Sequence, residues 1–186
     1  MAKLIYATNM SLDGYVEDES GSFDWGAPSD QLHSFFNDLL RPIGTHLYGR
    51  AMYEVMTYWE TALALPDQNE IENDFARIWQ YAEKIVYSTT LTTAWTKNTR
   101  IEPTFEPEAV RKLKETDAQD MSISGAHLAA QAFHAGLIDE CHLIIHPIIL
   151  GGGKPALPKN LRLNLELVNE QRFDGDVVHL HYGVQA

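Results

Sequence analysis

Three short stretches place small or hydroxyl-bearing residues where an apolar strand pattern gives way to a helix or a loop. "LYGRAMYE" carries Gly49 and Arg50, "VYSTTL" carries Ser88, Thr89 and Thr90, and "ISGAHLAA" carries Ser124, Gly125, Ala126 and His127. Helix starts and strand ends expose backbone N–H groups, and residues without bulk let phosphate oxygens reach them. One such junction alone reads better as a tight turn; three at equivalent strand ends predict a site for a phosphate-bearing ligand. A fourth stretch, "ILGGGKPALP", resembles a phosphate loop only superficially. Pro155 follows Lys154 where a P-loop needs Ser or Thr, and no spaced upstream glycine is present. Gly151 and Gly152 are therefore expected to permit close approach of another backbone or a flat ring, as a cleft wall. Asp13, in "SLDGYV", is the candidate polar group near a reacting centre, although Asp-Gly is equally a turn pair. Trp25 suits either stacking on a flat ring or closing the core.

Histidines offer a second kind of chemistry. His142 and His146 share one face of a strand pattern, as do His179 and His181. With no acidic or cysteine partner at an obvious spacing, the four read as a polar or dimer-facing surface, and no metal ligands are assigned. Cys141 reads as an inert, partly buried thiol.

The elements that must position these residues follow from periodicity. Residues 3 to 10 form a strand pattern. Ser29 suits an N-cap by type, followed by Leu32, Phe35, Phe36, Leu39 and Leu40 on one helical stripe. Strand patterns recur at "THLYG", at Lys84 to Thr89, at "DMSIS" and at "ECHLIIHPIIL". Helices between them start near Arg50, carry Phe75, Ile78, Trp79 and Ala82, begin near Pro107, and run from Ala126 to Gly136. Leu161, Leu163, Leu165 and Leu167 alternate with polar residues as a half-buried strand, and Asp174-Gly175 turns the chain into "DVVHLHYGV". Alternating strands and helices imply parallel βαβ units. The expected fold is a single domain over residues 1–186, a three-layer α/β/α arrangement with a mixed, mostly parallel sheet and an antiparallel C-terminal hairpin.

Bulk properties bound the partners. The chain has 186 residues and a formal charge of −12, with only 14 Lys and Arg, which argues against a nucleic-acid surface. No apolar run reaches membrane length, and the start lacks a signal-peptide pattern. A single cysteine fits a reducing compartment, so a cytoplasmic protein is expected.

In order, "NMSLDG", "LYGRAMYEVM", "KIVYSTTL", "ISGAHLAAQAFHAGLIDECHLIIHPIILGGGKPALP" and "LELVNEQRFDGDVVHLHY" resemble the dihydrofolate-reductase-like superfamily. The branch is similar to the C-terminal reductase domain of bacterial riboflavin biosynthesis. The resemblance implies an NADPH-dependent reductase of a small heterocyclic or carbonyl substrate, often a homodimer, with about eight sheet strands. It assigns Gly49 and Arg50 to the adenosine phosphate, Ser88, Thr89 and Thr90 to the adenine ribose side, and Ser124, Gly125, Ala126 and His127 to the pyrophosphate. Asp13 then borders the substrate, with Asp24, Trp25, Gly151 and Gly152 around it. Phe23 and Asp24 stand where the riboflavin-pathway reductases carry serine and lysine for a sugar phosphate, and Ala51 and Thr89 replace cations common at the adenosine corner. Two alternatives remain open: a non-catalytic NADPH-binding sensor module, and dihydrofolate reductase, which usually carries a carboxylate on its first helix, where this chain has Asp30 and Asp38.

Overall fold

The computed structural model describes residues 1–185. Its centre is an eight-stranded sheet built from β1 (Leu4–Ser11), β3 (Ile43–Gly49), β4 (Glu83–Tyr87), β5 (Thr99–Glu102), β6 (Asp120–Ser124), β7 (Glu140–His146), β9 (Leu165–Arg172) and β10 (Val178–Val184). Their spatial order is β5-β4-β3-β6-β1-β7-β10-β9. The first six in that order are parallel, while β10 runs antiparallel to both β7 and β9. A two-stranded sheet pairs β2 (Tyr15–Glu17) with β8 (Lys154–Pro155).

Helices cover both faces of the large sheet up to its outer strand β9. Helices α4 (Pro107–Thr116) and α5 (Ala126–His134) bring Val110, Leu128, Ala132 and Phe133 against Leu4, Tyr6, Leu47, Ile85, Met121, Ile123 and Leu143. On the other face, α2 (Arg50–Met56) and α3 (Glu70–Tyr81) pack Tyr53, Met56, Phe75 and Trp79 on Tyr48 and Val86. Beside them α1 (Asp30–Leu40) seats Leu32 on Ile144, Phe173 and Val177.

Local signals set the helix ends. Ser29 accepts from the Leu32 N–H at 3.3 Å, and Asn69 with Glu72 closes a reciprocal capping box on α3. Pro107 occupies the first turn of α4.

Two strand expectations need correction. The strand from "ECHLIIHPIIL" ends at His146, because Pro147 has no N–H to donate to a ladder, and Ile149 is exposed. Pairing in the leucine alternation starts only at Leu165, and all eight residues of β9 are exposed, since β9 is the outer strand and neither of its faces is covered within the chain. The short strands β2, β5 and β8 carry no periodicity long enough to be read from sequence.

Candidate functional site

The site is built on the carboxyl edge of the parallel strands, where open α/β sheets hold ligands. Register places Tyr87 beside Gly49 and Tyr48 beside Ser124, so the three phosphate-type junctions are direct neighbours on β4, β3 and β6. Ser11 at the end of β1 pairs with His146 at the end of β7, which continues the same edge. From β4 to β7 there are four strand spacings, about 19 Å at ~4.8 Å each.

Gly125 has φ +100, and a Cβ there would lie 3.6 Å from the Gly49 nitrogen. The positive φ disfavours any side chain there, whereas the Cβ itself would make only ordinary contact with the neighbouring junction. No side chain caps the start of α5, which leaves its first-turn N–H groups free to meet an anion. Arg50 extends along the same edge: its guanidinium donates to the Thr90 hydroxyl and, through Nε, to Glu54 Oε1 at 2.8 Å. Ser88 Oγ accepts from the Leu91 N–H at 3.0 Å and shapes the turn that carries Thr89 and Thr90. These groups could receive the oxygens of a phosphate-bearing ligand. His127 lines a shallow cleft with Glu17, Asp18, Glu19 and Lys154, and Lys154 is ion-paired to Glu17.

Around β1 and β7 the structure assigns distinct tasks to the remaining residues. Asp13 accepts from the Ser11 hydroxyl at 2.7 Å, the Gly151 N–H at 2.7 Å and the Leu150 N–H at 3.1 Å. The Ser11 hydroxyl, followed by the two backbone donors, holds its carboxyl below the usual range. Asp13 is thereby a staple between the end of β1 and the glycine stretch, suited to orienting and unsuited to donating a proton. Gly153 shows why the glycines are needed: at φ +130 its Cβ would lie 2.0 Å from the Glu17 carbonyl oxygen. At Gly152 a Cβ would meet the Glu19 carboxylate at 2.9 Å. The close approach is to the backbone around β2.

A cleft of about 380 Å³ opens between α1, the end of β7 and the β9–β10 turn, lined by Trp25, Ser29, Leu32, His146, Ile148 and Asp174 among others. Of the expected substrate residues it includes Trp25 alone; Asp24 is exposed on the same short turn, and Gly151 and Gly152 lie outside the lining. Trp25 packs edge-on to His146, ring centroids 5.5 Å apart, and its buried indole N–H has no partner. The His146 Nε2 lies 3.0 Å from Asn9 Oδ1, an acceptor, so the ring proton is assigned to Nε2 and Nδ1 is left as an acceptor. Burial lowers the His146 pKa, which keeps the ring neutral at pH 7. Asn9, His146 and Asp174 were not picked out as site residues from sequence, since they come from three segments with no common spacing.

The other histidines are not the polar surface their alternation suggests. His142 and His179 are buried, and Glu140, two residues before His142 on the same strand face, supplies the acidic neighbour that the sequence reading did not find. Cys141 is buried, and desolvation pushes its thiol up to about 12, which makes it inert.

An open, mostly parallel sheet with a glycine-lined edge and an adjoining cleft defines the dihydrofolate-reductase-like class of fold. The chain belongs to the RibD C-terminal domain family, which it matches over residues 2–179. The uncharacterized protein YyaP of Bacillus subtilis is 30% identical over 182 residues, covering 97% of this chain and 94% of YyaP. Among solved structures, a pyrimidine reductase-like protein from Corynebacterium diphtheriae superposes with a TM-score of 0.72 at 16% identity, covering 100% of this chain and 92% of that one. The diaminohydroxyphosphoribosylaminopyrimidine deaminase/5-amino-6-(5-phosphoribosylamino)uracil reductase of Thermotoga maritima gives 0.69 at 13% identity, covering 99% of this chain and 57% of that one. At these identities the structures speak to the fold. No described helix is long and apolar enough to cross a membrane.

Proposed function

We propose that the chain is a reductase that binds NADPH along the ends of β4, β3 and β6 and reduces a small flat heterocycle or carbonyl compound seated against Trp25 and His146. The observation that carries this reading is the adjacency of the three junctions, with the apolar-walled cleft two strands further along the same edge. NADPH, when bound, supplies the hydride. The protein supplies position: Arg50 and the Gly125 turn fix the phosphates, and the cleft holds the acceptor out of bulk water.

The cleft lining contains no Lys or Arg and does contain Asp174. A phosphorylated acceptor would meet like charge there, so the favoured substrate lacks a sugar phosphate. The Trp25 indole N–H favours an acceptor atom on the ring edge, and Asp174 with His146 Nδ1 favours ring or exocyclic N–H donors. Asp30 and Asp38, the acids of α1, are absent from the lining, which weighs against dihydrofolate reduction.

An acceptor panel followed by NADPH absorbance tests the reading. Turnover of an unphosphorylated heterocycle or carbonyl is expected. Tight NADPH binding with no turnover across such a panel would favour the sensor alternative, and efficient reduction of the phosphoribosylamino-pyrimidine would contradict the charge argument.

A further inference from the structure

We propose that Glu140, His142 and His181 form a binding site for a divalent transition cation such as Zn²⁺, tying β7 to β10 at the opposite end of β7 from the cleft. His142 stands directly across from His181 in the antiparallel pair, and Glu140 lies two residues earlier on the same face. The three side chains each offer a ligand atom, all within 4.8 Å of one another. His181 Nε2 is 3.2 Å from Glu140 Oε2, and His142 Nε2 is 3.9 Å from the same oxygen.

Two imidazoles and one carboxylate are a donor set that borderline divalent cations favour, with a fourth position left for water. Zn–N and Zn–O bonds near 2.0–2.1 Å place tetrahedral ligand atoms about 3.4 Å apart, so the His181–Glu140 separation already fits, the His142–Glu140 separation must close by roughly half an ångström, and the two imidazole nitrogens, within 4.8 Å of each other, must close by at most about 1.4 Å. The His142 and His181 rings are stacked, centroids 4.0 Å apart and 18° from parallel. Turning one ring about χ2, a broad and soft torsion, aims its lone pair at the shared centre.

Neighbouring groups prepare the ligands. Lys3 Nζ engages Glu140 Oε1 at 2.6 Å, which leaves Oε2 facing the imidazoles. His142 Nδ1 is 3.0 Å from His179 Nε2, so its orientation is fixed by an outer partner while Nε2 stays free. Glu140 and His181 retain 18% and 17% side-chain exposure, enough for an ion to enter. Six residue steps along β7 take Glu140 to His146, about 20 Å at strand rise, so the ion would lock the sheet rather than act on substrate.

The competing reading is a plain Lys3–Glu140–His181 charge network that binds nothing. Full-length protein stripped with chelator and titrated with ZnCl₂ by calorimetry separates the two, with Co²⁺ absorption reporting ligand geometry and thermal unfolding reporting the lock. One saturable Zn²⁺ per chain, a tetrahedral Co²⁺ spectrum and a higher Tm are expected. Glu140→Gln and His181→Ala, checked for folding by circular dichroism, should each weaken Zn²⁺ at least about tenfold, while His134→Ala on α5 should not. Absence of saturable binding, or equal binding by the ligand variants, would overturn the site.

Discussion

Arg50 shows how one side chain limits cofactor choice. A 2′-phosphate carries close to two negative charges, and Ala51 and Thr89 offer it no cation. The Arg50 guanidinium can give a charge-assisted bond of about 1.5–3 kcal/mol, but Glu54 at 2.8 Å already draws on its charge. NADPH should therefore be preferred over NADH by only about tenfold, the ratio that 1.4 kcal/mol supplies. Binding titrations of both cofactors should show Arg50→Ala erasing that preference and Glu54→Gln widening it. Equal loss of NADH and NADPH in Arg50→Ala would relocate Arg50 to the pyrophosphate. A second residue, His46, sets an acid limit. Burial, then the Lys84 charge, lowers its pKa to about 3, whereas the unfolded ring titrates near 6.5. Below pH 6.5 the unfolded state binds the extra proton, so stability falls with pH until the folded ring also protonates. At pH 5 this one group costs about 2 kcal/mol relative to pH 7. Urea unfolding at both pH values should show the loss, reduced by that amount in His46→Gln. Residues at helix starts, such as Gly125 and Arg50, were legible from type and position. His146 and Asp174 were not, because a cleft assembled from distant segments leaves no local pattern.

At the scale of elements, the glycine stretch and the β2–β8 pair act as one unit. Asp13 staples Leu150 and Gly151, and the chain then passes against Glu17 and Asp18 with no room for a side chain at Gly153. Gly153→Ala would force a Cβ into the Glu17 carbonyl at a φ that L-residues rarely adopt, and should cost about 1–3 kcal/mol or separate the two strands. Chemical denaturation reads the cost, and amide exchange at Tyr15 to Glu17 reads the separation; a neutral substitution would show that the approach is not tight in solution. The same unit marks where sequence reasoning succeeds and fails. A glycine run predicts a close backbone approach because only glycine allows it, but it does not name the approaching segment. Helices α1 and α3 were legible from their apolar stripes, and α1 also from its Ser29 cap, whereas the Asn69 cap of α3 was not picked out. Strands of two to four residues such as β8 and β5 were not, since their pairing is decided by tertiary position.

Across the whole molecule, β9 is an outer strand exposed along its full length, with Leu165, Leu167 and Val168 among the exposed apolar side chains. An uncovered apolar edge invites pairing, and a homodimer through β9 is the arrangement we predict. Light scattering at micromolar concentration should give twice the 21.0 kDa chain mass, and Leu167→Lys should shift it toward monomer. A monomer mass for the unaltered protein would rule the dimer out. The leucine alternation that read as half-buried would then have been half right: the pattern specifies a face to cover, and a partner would do the covering.

The order of ligand along the sheet edge is the central claim, and Gly125 is its pivot. Calorimetric titration of NADPH into the protein and into Gly125→Val tests it most directly, with circular dichroism confirming that the variant is folded. Saturable NADPH binding that Gly125→Val abolishes or weakens by at least about tenfold is the expected result, because the added branches occupy the space beside Gly49 where the proposed cofactor's pyrophosphate would sit. Equal NADPH affinity in the two folded proteins would contradict it and move the cofactor away from the β3–β6 junction.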